Sequence, residues 1–282
     1  MRGKLKKLFA AVLAVLLALS FSGCSELTGL DAQALMSPPK TTADREAIYA
    51  LMGGGVGDVT LVYPKCGDYR SAIISRDLDG CGTSEVVSFC ANGDAGGTRL
   101  EFFKKNTDGV WSSMARFTSA ATQVDKVFFG DLTGDGMDEI IVGWGDPLTA
   151  TASVSVYYVD GDTIREFSMT TVSYSEMLLT DFDSDNIKEL FVLQAAQTSG
   201  EEIMALGGLY RFDGDQPYVS KTVPLDAAVT RYTSVSFSQV NSWRRAAVLD
   251  GVKADGHMLT QVIGYDEASD RLISVSYTHL TL

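Results

Sequence analysis

The stretch Gly130–Trp144, GDLTGDGMDEIIVGW, holds four carboxylates in nine residues and then runs into an apolar strand. Asp131, Thr133, Asp135 and Glu139 stand at the first, third, fifth and ninth positions of a loop, and Met137 offers its backbone carbonyl at the seventh. Oxygen donors at alternate positions suit Ca2+, which takes six to eight of them at about 2.3–2.6 Å. Gly134 and Gly136 allow the tight backbone that makes such oxygens converge. An EF-hand begins similarly but needs a bidentate Glu at the twelfth position and flanking helices. Val142 falls at the twelfth here and EIIVGW reads as a strand, so the EF-hand is excluded.

The loop recurs. TDFDSDNIKELFVL offers Asp181, Asp183, Asp185, the carbonyl of Ile187, and Glu189. Asn186, a residue type that tolerates left-handed backbone, stands where Gly136 stands. RDLDGCGTSEVVSF offers Asp77, Asp79, the carbonyl of Thr83, and Glu85, but Cys81 takes its fifth position. The leading Asp77, Asp131 and Asp181 are spaced 54 and 50 residues apart. A second marker keeps step: an aromatic run ends in an Asp-Gly turn at Asp108-Gly109, Asp160-Gly161 and Asp213-Gly214, spaced 52 and 53. Asp-Gly between strands is a strong hairpin signal, because both central positions of a type I′ turn need φ > 0.

The elements that must position these loops follow from the two markers. Each unit reads as strand, acidic loop, strand, connection, strand, Asp-Gly turn, strand. Four-stranded units repeating at about 50 residues predict the blades of a β-propeller. The fold expected is therefore all-β, an incomplete propeller of about four blades over residues 56–274. In the fourth unit Gln239 falls where the leading Asp would be, and a turn near Ser269 keeps the register. DVTLVYP, residues 58–64, is an extra strand, expected as the outer strand of the last blade. Before it, residues 41–55 read as a short helix with Ile48, Leu51 and Met52 on one face, ended by Gly53–Gly55 and expected to pack on the next domain.

Other chemistry is poorly served. There is no G-x-S-x-G, P-loop or zinc spacing. A nucleophilic triad would have to use His257, which sits in a turn. Recurrence of the same carboxylates in each unit fits structure better than a single glycosidase-like acid pair. Trp144, Tyr157, Tyr158, Tyr210 and Phe212 fall on strands and are expected to pack between blades, whereas Trp111 and Trp243 lie beside turns, as exposed contacts for a glycan or a protein.

The ends carry addresses. MRGKLKK followed by the apolar Leu8–Phe21 is the layout of a secretory signal peptide, residues 1–23. FSGC then resembles the lipobox of bacterial lipoproteins, which implies lipid on Cys24, and residues 24–40 read as a flexible tether. Two acyl chains are what stable membrane attachment needs. VSYTHLTL, residues 275–282, resembles the translation of a sequencing adaptor and is set aside from the fold. Residues 1–23 carry four of the 23 basic residues and none of the 36 acidic ones, which leaves the mature chain at −17. No basic footprint for nucleic acid exists, and the charge attracts divalent cations. Cys66, Cys81 and Cys90 allow at most one disulfide and form no CxxC pair.

The acidic loops, with their strands and period, resemble the FG-GAP/VCBS repeats of integrin-alpha-like β-propellers, strongest in the second and third units. The resemblance implies structural Ca2+ between the first two strands of a blade, best kept in the second and third loops. It implies a lipid-anchored extracellular binding or scaffold module on the outer face of the bacterial cytoplasmic membrane, with a protein or glycan partner and no enzyme activity. The alternatives are an extracellular carbohydrate-active enzyme whose catalytic part lies in a missing C-terminal region, and a solute-capture lipoprotein, against which the repeat speaks.

Overall fold

Runs such as EIIVGW and ELFVL have no polar alternation because both of their faces are covered. β6 (Glu139–Gly145) turns Ile140, Val142 and Trp144 to one neighbouring sheet and Ile141 to the other. β11 (Glu189–Ser199) likewise turns Leu190 and Val192 one way and Phe191 and Leu193 the other. Burying each such side chain contributes about 1.5–3 kcal/mol, which fixes the strand register because a one-residue slip would exchange the two faces.

The computed structural model describes residues 42–55, 57–145, 152–168, 172–199, 202–214, 216–241 and 244–279. The signal peptide, the tether, Cys24 and Trp243 lie outside them. The described chain is all-β with one α-helix and four antiparallel sheets. The first sheet runs β1 (Ile73–Arg76), β2 (Glu85–Ala91), β3 (Thr98–Lys105), β4 (Trp111–Ser119). The second runs β5 (Gln123–Gly130), β6, β7 (Ala152–Asp160), β8 (Thr163–Glu166). In the third are β10 (Glu176–Thr180), β11, β12 (Glu202–Asp213) and β13 (Gln216–Leu225). The fourth has β14 (Val229–Asn241), β15 (Arg244–Lys253), β16 (Met258–Asp266) and β17 (Arg271–His279). The expected order of strand, loop, strand, connection, strand, turn, strand is thus present in the first three sheets; in the Asp-Gly turns Gly109, Gly161 and Gly214 have positive φ but Asp108, Asp160 and Asp213 do not, so the turns are not of type I′. The fourth sheet has no acidic loop: Gln239 lies inside β14, paired with Arg245.

Apolar clusters join the sheets in chain order, first to second, second to third, and third to fourth. Among the described residues no buried cluster joins the fourth to the first. The remaining face of the first sheet is covered by α1 (Ala43–Leu51), whose Ile48, with Met52 just beyond it, packs on Val86, Cys90 and Phe103. No helix among the described residues is long and apolar enough to cross a membrane.

One local expectation is revised. Thr60–Val62 does not serve the last sheet: Ala91 N–H donates to Thr60 O (2.8 Å) and Val62 N–H to Phe89 O (3.0 Å). The cause is the shortness of β1, which pairs only with Glu85–Ser88 and leaves the rest of that β2 edge open. In the second sheet β9 (Val172–Tyr174) fills the same kind of gap, pairing Ala152–Val154 of β7 where the four-residue β8 does not reach. Residues 275–279, set aside above, extend β17 along β16, with Val275 opposite Val262 and His279 opposite Met258. Cys66, Cys81 and Cys90 are free thiols.

Candidate metal centre

The three acidic loops share one backbone design. In each, the fourth and sixth residues have positive φ: Gly80 and Gly82, Gly134 and Gly136, Ser184 and Asn186. That turn aims the sixth N–H at the leading carboxylate, so Gly82, Gly136 and Asn186 donate to Oδ2 of Asp77, Asp131 and Asp181 at 2.9, 2.9 and 3.0 Å. The second N–H reaches the Glu that opens the following strand. Leu78 donates to Glu85, Leu132 to Glu139 and Phe182 to Glu189, at 2.9, 2.6 and 2.8 Å. In the second and third loops the fifth Asp accepts from the seventh residue, Met137 to Asp135 and Ile187 to Asp185, both at 2.8 Å. Cys81 has no carboxylate to offer Thr83, and Asp79 accepts Cys81 N–H instead (3.0 Å).

The loops are also joined to one another. Asp138 N–H donates to Leu78 O (3.0 Å) and Lys188 N–H to Asp131 O (2.8 Å), which links the first loop to the second and the second to the third. Arg76 adds an ion pair to Asp138. A Cβ on Gly134 would lie 2.8 Å from Ile187 Cδ1, so glycine there serves both the turn and the contact between loops.

Glu85, Glu139 and Glu189 are almost fully buried. Burial pushes Glu139 up to about 7; the Leu132 N–H works against this, and the carboxylates of Asp135 and Asp131 add to it. Burial likewise raises Glu189, but there Phe182 N–H and Arg211 pull the other way. The difference lies on the facing strand. Ile140 pairs with Tyr157, Val86 with Phe103 and Leu190 with Tyr210. The residues one step further, opposite Glu139, Glu85 and Glu189, are Tyr158, Lys104 and Arg211. Lys104 pairs with Asp162 of the second sheet. Arg211 turns into its own loop: Nε is 3.1 Å and Nη2 2.5 Å from Glu189 Oε1, Nη2 is 3.2 Å from Asp185 Oδ2, and Nη2 also pairs with Asp183.

The fit to Ca2+ therefore differs from loop to loop. In the second loop Asp131, Thr133, Asp135, Glu139 and the Met137 carbonyl form an all-oxygen donor set, with Thr133 Oγ1 3.4 Å from Glu139 Oε1. Among the described residues no Lys, Arg or His forms an ion pair with Asp131, Asp135 or Glu139. These donor types suit a hard cation, but among the described residues the three carboxylates that come within 4.8 Å of one another are those of the third loop, not of the second. In the third loop Asp181, Asp183 and Glu189 have oxygens within 4.8 Å of one another, but a guanidinium already sits against two of these residues. Asp183 Oδ1 remains buried with no hydrogen-bond partner. In the first loop Asp77, Asp79 and Cys81 come equally close and Asp77 Oδ1 is buried without a partner, yet the thiol breaks the oxygen set.

In the sequence the strand LYRFDGD stands out for its aromatic residues, which mask Arg211. The signal was there: Arg211 stands two residues before Asp213, as Tyr158 stands two before Asp160. Trp144, Tyr157 and Phe212 are buried between sheets, as expected, and Tyr158 and Tyr210 pack against the same cores. Trp111 is not a free contact. Its Nε1–H donates to Asp44 (2.9 Å) at the start of α1, and Lys105 Nζ pairs with the same oxygen.

No protein-family model and no curated protein matches the chain. A solved structure described as a "putative exo-beta-1,3-galactanase from Bifidobacterium bifidum s17" is similar over 79% of this chain and 93% of its own, at 12% identity and a TM-score of 0.26. So distant a likeness carries nothing about function.

Proposed function

We propose that this chain is a lipid-anchored extracellular binding or scaffold module of the FG-GAP/VCBS kind, its sheets being consecutive propeller-type blades. Cys24 would carry the lipid and hold it to the outer face of the bacterial cytoplasmic membrane. The observation that supports this best is the recurrence of one loop design, in register with its sheet, three times over. Carboxylates committed to the backbone of their own loops serve structure rather than catalysis, so no reaction is assigned to them. Asp131, Thr133, Asp135, Met137 and Glu139 would hold one Ca2+, which would supply the positive charge that no ion pair among the described residues brings to Asp131, Asp135 or Glu139. The partner would be a protein or a glycan. A cleft of about 420 Å³ bordered by Asp183, Arg245, Tyr265, Asp266 and Glu267 offers both charges and a ring beside the third loop.

The test is thermal unfolding of the full chain with added Ca2+ and with chelator. The melting temperature should rise with the ion and fall with the chelator, and Asp135→Ala should abolish most of the difference. An identical melt in both conditions would remove the metal from the proposal.

A further inference from the structure

We propose that Arg211 is the resident cation of the third loop, so that this loop is closed by a side chain where the second is closed by a metal ion. The inference rests on the reading of the second loop as a Ca2+ site, and it departs from the expectation that the third holds one as well. It begins with register. Glu189 opens β11 and is fully buried; Arg211 lies opposite it on β12 and reaches inward. Its guanidinium bonds Glu189, Asp185 and Asp183, three of the four carboxylates that would otherwise ligate an ion. A planar fork of five fixed N–H donors can serve several carboxylates at once and never loses its charge.

Those bonds use oxygens that Ca2+ would need, and a divalent ion placed among them would stand against a permanent positive charge. At the matching place the second loop has Tyr158, which carries no charge and packs its ring on Phe167 at 4.4 Å between centroids. The first loop has Lys104, which is spent on Asp162. Loops of one backbone design thus differ in whether a side-chain cation reaches their carboxylates: Arg211 does so in the third, whereas Lys104 beside the first is spent elsewhere and Tyr158 beside the second brings no charge. The identity of a single cross-strand residue sets that difference.

Calorimetric titration of Ca2+ into the chelator-treated full chain tests this with three variants. Asp135→Asn should lose about one equivalent relative to the unmodified chain. Asp185→Asn should lose none, because its loop holds no ion. Arg211→Met should gain about one equivalent, with the far-UV circular dichroism unchanged. Loss of an equivalent in Asp185→Asn overturns the proposal, and that arm is decisive even where Arg211→Met does not fold. A folded Arg211→Met with unchanged stoichiometry overturns it too. Full stoichiometry in Asp135→Asn would count against the second-loop site alone and leaves the other two arms readable.

Discussion

Ser184 and Asn186 occupy backbone that the other two loops give to glycine. Their φ values are 66° and 71°, against 68° and 87° for Gly80 and Gly82. An L-residue in this region costs roughly 1–2 kcal/mol, less for Asn, whose short side chain bonds locally. Glycine removes that strain but returns about 0.5–1 kcal/mol through the entropy of the unfolded chain. Ser184→Gly should therefore raise stability by about 0.5 kcal/mol, read as a shift in the urea midpoint at constant slope. A lower midpoint would mean that the Ser184 side chain contributes a contact worth more than the strain. At this scale much of the site was legible in the sequence, because ligand-type residues at alternate positions are a local pattern. Arg211 was not, since its effect depends on which residue faces it across a strand pair, and that is set by register rather than by neighbours in the chain.

The elements show the same division between local and non-local information. Acidic loops and Asp-Gly turns mark strand ends directly, so the order of strands in each sheet could be read from their period. Segments such as Thr60–Val62 and β9 could not, because three residues have no period of their own and pair only where a short strand leaves an edge open. β9 nevertheless matters for packing. The hydroxyl end of its Tyr174 comes against the backbone of β6 at Gly143, where a Cβ would lie 2.2 Å from Tyr174 Oη and 2.8 Å from Met177 Cε. The hydroxyl is held by Asp125 Oδ2 at 2.7 Å, so the ring has little freedom to withdraw. Gly143→Ala should destabilise the protein by about 1–3 kcal/mol, the usual range for an overpacked core. Chemical denaturation measures this, and Tyr174→Phe in the same background should recover part of the loss by freeing the ring. A neutral Gly143→Ala would show that β9 detaches at no cost.

Across the whole described chain each sheet is stabilised by its sequence neighbours. The second and third sheets have apolar clusters on both faces, and the first has the second sheet on one face and α1 on the other. The fourth packs on the third alone among the described residues and leaves Met258, Ile273, Val275 and Tyr277 exposed, the last at 56%. It also lacks the acidic loop and the loop-to-loop hydrogen bonds that tie the first three sheets together. Where stability is a sum of unit and nearest-neighbour terms, opening starts at the unit with fewest neighbours. Native-state hydrogen exchange should then find the slowest amides in β6 and β11 and distinctly faster exchange in β16 and β17. Chelation should lower protection around the second loop while leaving the fourth sheet unchanged, since Leu132 of that loop packs in the cluster between the second and third sheets and the fourth sheet belongs to a different one. Equal protection in β6, β11 and β16 would instead mean that the four sheets open as one cooperative unit, and that the contacts between the third and fourth are as strong as those around the acidic loops.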